Sequence, residues 1–85
     1  MDQPQLQGPD PELLKDLVRM KMPFGKYKGW LIADIPESYL LWFSNKGFPP
    51  GKLGMLMSTC YEIKLNGMNE MIRELKELFG QKRGQ

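Results

Sequence analysis

Met22-Pro23-Phe24-Gly25-Lys26-Tyr27-Lys28-Gly29-Trp30-Leu31-Ile32-Ala33 is the stretch on which the fold reading turns. Pro23 pushes Met22 into extended geometry, because a proline ring disfavours the helical region for the residue before it. Gly25 and Gly29 bracket a turn, and Trp30 to Ala33 is rich in residues that favour strands. Extended, glycine-bounded turn, extended: the pattern predicts a β-hairpin with a loop of three to five residues. At least one of the two glycines is expected at positive φ, where a β-carbon would be strained. A two-stranded hairpin is marginal alone, so this one is expected to lie on helices.

Both flanks supply helices. Upstream, Asp10-Pro11 has the form of an N-cap followed by a first-turn proline. Leu13, Leu14, Leu17 and Val18 then recur at helical spacing, ending near Arg19 or Met20, with Arg19 and Lys21 suited to the negative pole of the helix. Downstream, Asp34-Ile35-Pro36-Glu37 opens a second helix, with both acids in capping positions. Tyr39, Leu40, Trp42 and Phe43 give it a broad apolar face, and Gly47 ends it, with Phe48 placed to pack beyond the cap. After Pro49-Pro50-Gly51, Leu53, Leu56, Met57, Cys60 and Ile63 form the stripe of a third helix from Lys52 to Asn66, stopped by Gly67. Met68, Met71, Ile72, Leu75, Leu78 and Phe79 mark a fourth, with Gly80 as its cap. The expected fold is α+β and mostly helical: one N-terminal helix, a two-stranded β-hairpin, then three helices around a single small core. Residues 10–80 form this domain, residues 1–9 a flexible tail and residues 81–85 a frayed end.

Composition limits the chemistry. The 85 residues contain no histidine and one cysteine, so no Ser-His or Cys-His nucleophile, no disulfide within the chain and no thiolate zinc site can be built. Twelve Lys and Arg stand against ten Asp and Glu, and the resulting +2 is too mild to establish a polyanion-binding protein by itself. The carboxylates show no convergent set of the kind a two-metal nuclease needs. The chain therefore reads as non-enzymatic, with no cofactor and no metal. No run of apolar residues reaches the roughly 18–20 that a membrane span requires. The polar N-terminus lacks the apolar core of a secretory signal, and the single reduced cysteine fits the cytoplasm.

The candidate site is the hairpin tip. Lys26 and Lys28 alternate with Tyr27, and with Arg19 and Lys21 they give residues 19–28 four positive charges and no negative one. Two lysines touching phosphates while Tyr27 stacks on a base would make this a nucleic-acid interface, with Lys21 nearby and single strands favoured. The plainer alternative is a solvated tip whose lysines blunt an exposed edge. Of the other aromatics, Trp42 and Phe43 are expected in the core, because a chain this small has little else to fill it. Met55, Met57, Met68 and Met71 are expected to pack around the turn between the last two helices, and Cys60 to be an inert small hydrophobe.

Three segments carry a family resemblance: Met22 to Gly29, Ile35-Pro36-Glu37-Ser38-Tyr39-Leu40-Leu41-Trp42-Phe43, and Tyr61-Glu62-Ile63-Lys64-Leu65-Asn66-Gly67. Over roughly residues 20–79 the chain resembles a family of short bacterial proteins of unknown function labelled "putative quorum-sensing-regulated virulence factor". Its signature is the Phe-Gly-Lys-Tyr-Lys-Gly loop, followed by a proline, a Tyr-Leu and a tryptophan. Phe24, Gly25, Gly29, Pro36, Tyr39 and Trp42 stand at those positions and are read as structural. Similar segments accompany DnaQ-like 3′–5′ exonucleases, and that resemblance implies an accessory role in handling nucleic acid, since the catalytic acids belong to the exonuclease domain. The alternative reading is a protein–protein adaptor or homodimeric regulatory protein with a virulence-related role.

Overall fold

The computed structural model describes residues 10–80, so the expectations for residues 1–9 and 81–85 lie outside the described residues. Asp10 opens the first helix, α1 (Pro11–Leu17), its carboxylate accepting a hydrogen bond from the Glu12 N–H at 3.0 Å. Helices α2 (Glu37–Lys46), α3 (Gly51–Leu65) and α4 (Asn69–Phe79) follow, with a short 3₁₀ turn, Ile32–Asp34, between α1 and α2. The longest, α3, is central: α1, α2, α4 and the 3₁₀ turn all pack on it, and α1 also touches α4.

The expected β-hairpin does not form, and the α+β assignment is corrected to a four-helix, all-α fold without a strand among the described residues. What remains is one isolated antiparallel bridge, Lys21 to Leu31. Hydrogen bonds from Met22 N–H to Trp30 O (2.8 Å), Gly29 N–H to Met22 O (2.8 Å) and Ile32 N–H to Met20 O (3.0 Å) close the reversal. Inside it the chain is coiled, with Lys28 N–H bonding Gly25 O at 3.1 Å and Trp30 N–H bonding Tyr27 O at 2.9 Å. The physical reason lies at Ile32 and Ala33, consecutive residues that are both buried, as is Ile35. A strand turns successive side chains to opposite faces and would leave one of that pair in water. The 3₁₀ turn, with its i to i+3 repeat, buries all three instead.

Two glycines are required by close geometry. Gly25 has φ +81°, and a β-carbon there would lie 3.0 Å from the Tyr39 hydroxyl; Gly29 shares the positive φ. At Gly54, inside α3, a β-carbon would fall 1.8 Å from the Pro49 carbonyl oxygen, so the chain entering α3 crosses this helix where only glycine fits.

The core is aliphatic. Leu17 and Val18, Met22, Ile32, Ala33 and Ile35, Leu40, Leu56, Met57, Cys60 and Ile63, and Ile72 and Leu75 are the buried hydrophobics, and no aromatic is among them. Trp42 is corrected accordingly: expected in the core, it is 52% exposed. Three smaller expectations also change. Asp34 does not cap α2 but sits in the 3₁₀ turn and pairs with Lys76 at 2.5 Å, while Pro36 takes the N-cap position. Arg19, expected to favour the end of α1, donates from Nε to the Phe79 carbonyl at 2.7 Å and so caps α4. Gly80 is the C-cap of α4, as expected, and holds that place at an ordinary φ of −66°. Met57 is buried, but Met55 and Met68 are exposed.

Candidate functional site

Eight of the nine aromatic residues form one connected series of ring pairs. It begins in the glycine turn, where Tyr27 meets Trp30 edge-on at 4.8 Å. The other side of Tyr27 meets Tyr39 of α2 at 4.8 Å, also edge-on. Tyr39 stacks on Trp42 at 5.9 Å and meets Phe43 at 5.8 Å, while Phe24 reaches Phe43 at 6.5 Å. Phe48 stacks on Phe43 at 6.3 Å and continues to Tyr61 of α3 at 6.5 Å. Positions 39 and 43 are one helical turn apart, so α2 presents them side by side.

These rings are graded in exposure. Tyr27, Tyr39, Phe43, Phe48 and Tyr61 are half-buried and form the base. Phe24 (43%), Trp30 (48%) and Trp42 (52%) stand out from it, with Leu41 beside Trp42. Lysines border the ridge: Lys26 Nζ lies 5.6 Å from the centre of the Tyr27 ring, and Lys46 Nζ lies 5.5 Å from that of Trp42. Lys21 and Lys28 are exposed on the same turn. Of the expected site residues, the turn thus brings Lys26, Tyr27 and Lys28 to the ridge, with the Tyr27 ring held between Trp30 and Tyr39 rather than projecting alone. Sequence reasoning misses Lys46 and the exposure of Trp42. The signals for them are the i, i+4 spacing of Trp42 and Lys46 and a helix apolar on every side in a domain too small to surround it.

The third resembling segment, with Cys60 just before it, holds the 3₁₀ turn that leads into α2. Ile63 is buried, the Lys64 ammonium donates to the Ile35 carbonyl at 2.8 Å, and the Cys60 thiol donates to the Ile32 carbonyl with Sγ at 3.5 Å. Both groups satisfy carbonyls in and just after the 3₁₀ turn, which joins the glycine turn to α2. Burial pushes the Cys60 thiol up from its ordinary 9.0 to about 11, which keeps it protonated and unreactive at neutral pH. Among the described residues no group of three or more Cys, Asp or Glu side chains is placed to hold a metal, and no helix is long and apolar enough to cross a membrane.

Comparison with known proteins finds the family described as "Putative quorum-sensing-regulated virulence factor" matching residues 10–75. The chain belongs to that family. It is 48% identical over 66 residues to the uncharacterized protein YpeB of Escherichia coli strain K12, covering 76% of this chain and 92% of that protein. The YpeB protein of Escherichia coli O157:H7 matches with the same identity and coverage. No solved structure matches. The matched span contains the glycine turn, the whole aromatic ridge, and the Cys60 and Lys64 side chains that hold the 3₁₀ turn in place.

Proposed function

We propose that this protein is a non-catalytic module that binds single-stranded nucleic acid on the aromatic ridge. Bases stack on Trp30, Trp42 and Phe24, while Lys26, Lys28 and Lys46 meet the phosphates and Lys21 adds charge at the edge. The observation that carries this reading is the pairing of ring and ammonium at two points on the ridge, at Tyr27 with Lys26 and at Trp42 with Lys46. A stacked nucleotide needs that combination, a flat apolar face with a cation in reach of its phosphate. The half-buried rings beneath fix the orientation of the exposed ones, so little freedom is lost on binding. A duplex, whose bases are already stacked on one another, offers no face to these rings.

Both tryptophans lie on the ridge, so their own fluorescence reports on it. Titration with a short pyrimidine oligonucleotide is expected to quench the emission saturably, with affinity falling steeply as salt rises. Duplex of the same length should bind more weakly. Exposed Leu41 beside Trp42 favours a second reading, a protein partner or a second copy of the chain docked on the same rings. Apolar docking of that kind is much less sensitive to salt. Absence of quenching by any oligonucleotide at low salt would leave this second reading in place of the first.

A further inference from the structure

Away from the ridge, and sharing no residue with it, lies a cleft of about 350 Å³ between the 3₁₀ turn, the last turn of α3 and α4. Its volume lies near the lower end of small-molecule sites, roughly 300–1,000 Å³. Asn69, Ile72, Arg73 and Lys76 line it from α4, a spacing of three and four residues that puts them on one helix face. Lys64 and Asp34 face them from α3 and the 3₁₀ turn, and Ala33 and Ile72 make the apolar floor. Three cations stand against the Asp34 carboxylate in the lining, and Glu70, paired with Arg73 at the rim, brings the local excess to one positive charge.

We propose that this cleft binds a phosphate monoester of mononucleotide size. The donors it needs are only partly engaged. Of the three N–H groups on an ammonium, Lys64 directs one to the Ile35 carbonyl, and Lys76 is engaged by one oxygen of Asp34. Arg73 meets Glu70 through Nη2, leaving Nε and Nη1 for a ligand. That ion pair is two-thirds exposed on both sides, so a phosphate can displace Glu70 at small cost. Asn69 adds an amide donor. Asp34 holds Lys76 over the cleft without cancelling the charge of Lys64 or Arg73. The apolar floor favours a phosphate that carries an organic group over inorganic phosphate. This inference is independent of the aromatic ridge, because the two surfaces share no residue.

Amide chemical shifts of the full chain, recorded with adenosine monophosphate, inorganic phosphate and adenosine at constant ionic strength, test it. Adenosine monophosphate is expected to move Asn69, Arg73 and Lys76 saturably in the millimolar range or below. Inorganic phosphate should move the same residues more weakly, and adenosine should leave them in place. Arg73→Ala should weaken the monophosphate about tenfold, the equivalent of one charge-assisted hydrogen bond, without lowering the melting temperature. No movement of α4, equal movement with adenosine, or undiminished binding by Arg73→Ala would overturn the proposal. So would a response confined to the indole signals of Trp30 and Trp42, which reports the ridge alone.

Discussion

The interior and the aromatic ridge divide the hydrophobic residues of this chain by type. Every buried hydrophobic is aliphatic, methionine or cysteine, whereas eight of the nine aromatics share one partly exposed face. Aromatics carry the largest apolar area per residue, and a domain of this size has few other means of stabilising itself. Leaving them half in water forgoes stability that full burial would supply. Large exposed apolar groups packed into one patch mark a surface that other molecules cover. The interior holds the fold; the ridge is held by it.

If that division is right, truncation should separate the two regions. Leu56→Ala, in the buried stripe of α3, is expected to cost about 2–5 kcal/mol, enough to leave much of a marginally stable domain unfolded. Trp42→Ala should cost about 1 kcal/mol, the scale of the ring pairs it makes with Tyr39 and Phe43, while removing roughly 1–3 kcal/mol of oligonucleotide binding. Thermal melts and fluorescence titrations of the two variants check both halves. Equal losses of stability would erase the distinction between core and ridge.

Gly54→Ala sharpens the interior side. A methyl group 1.8 Å from the Pro49 oxygen forces the connector away from α3, and overpacking of this kind costs about 1–3 kcal/mol or more. The shift would also carry Phe48, one residue upstream, off the end of the ridge. A Gly54→Ala protein with wild-type melting behaviour would show that the connector moves freely. Neither charge nor periodicity points to Gly54. Its role comes from the Pro49 carbonyl lying against the first turn of α3, an approach over five residues that neither composition nor apolar spacing shows.

The same distinction explains what is legible in the sequence. The stripes Leu56, Met57, Cys60, Ile63 and Ile72, Leu75 follow helical spacing and do face the core, because apolar residues at that spacing fall on one side of a helix. Asp10-Pro11 and the positive φ of Gly25 and Gly29 are local properties and are equally readable. Residues 39–43 are different: five consecutive large apolar residues encircle α2, and spacing does not say which of them turns inward. Leu40 does, and Trp42 does not. Ile32-Ala33 misleads in a related way, since strand propensity reports a preference for half-buried surface and not a backbone state. Lys26, Tyr27 and Lys28 are identifiable as a basic turn, but their partner Lys46 lies on another element, and only the fold brings it to the same ridge.

Cys60 gives a smaller test, confined to the interior. Its thiol has a folded pKa of about 11 against 9.0 ordinarily, so the folded state holds the proton more tightly. The stabilisation is fully present below pH 9.0 and is lost as pH rises through about 11. About 3 kcal/mol is expected to disappear across that window. Denaturant titrations of the wild type and Cys60→Ala should therefore converge at alkaline pH relative to their difference at neutrality. A difference independent of pH would place the thiol in reach of water.

The smallest effect on folding is expected at the ridge's charged border. Lys26 and Lys28 are both exposed, and the ammonium of Lys26 lies against the Tyr27 ring without an ion-pair partner among the described residues. Replacing both with alanine should leave the melting temperature within a few degrees, since exposed substitutions rarely change stability by more than about 0.5 kcal/mol. Binding should respond in a particular way. Every lysine–phosphate pair removed reduces the slope of log affinity against log salt by about 0.7 for a single strand, so the double variant should bind less tightly at low salt and approach the wild type at high salt. Trp42→Ala should do the reverse, lowering affinity at every salt concentration and leaving the slope unchanged, because stacking releases no counterions. Opposite signatures from two neighbouring parts of one ridge would separate the charge and ring contributions to a common ligand. If both variants left the salt slope unchanged, the lysines would not be meeting phosphates, and the ridge would be better read as a docking face for protein.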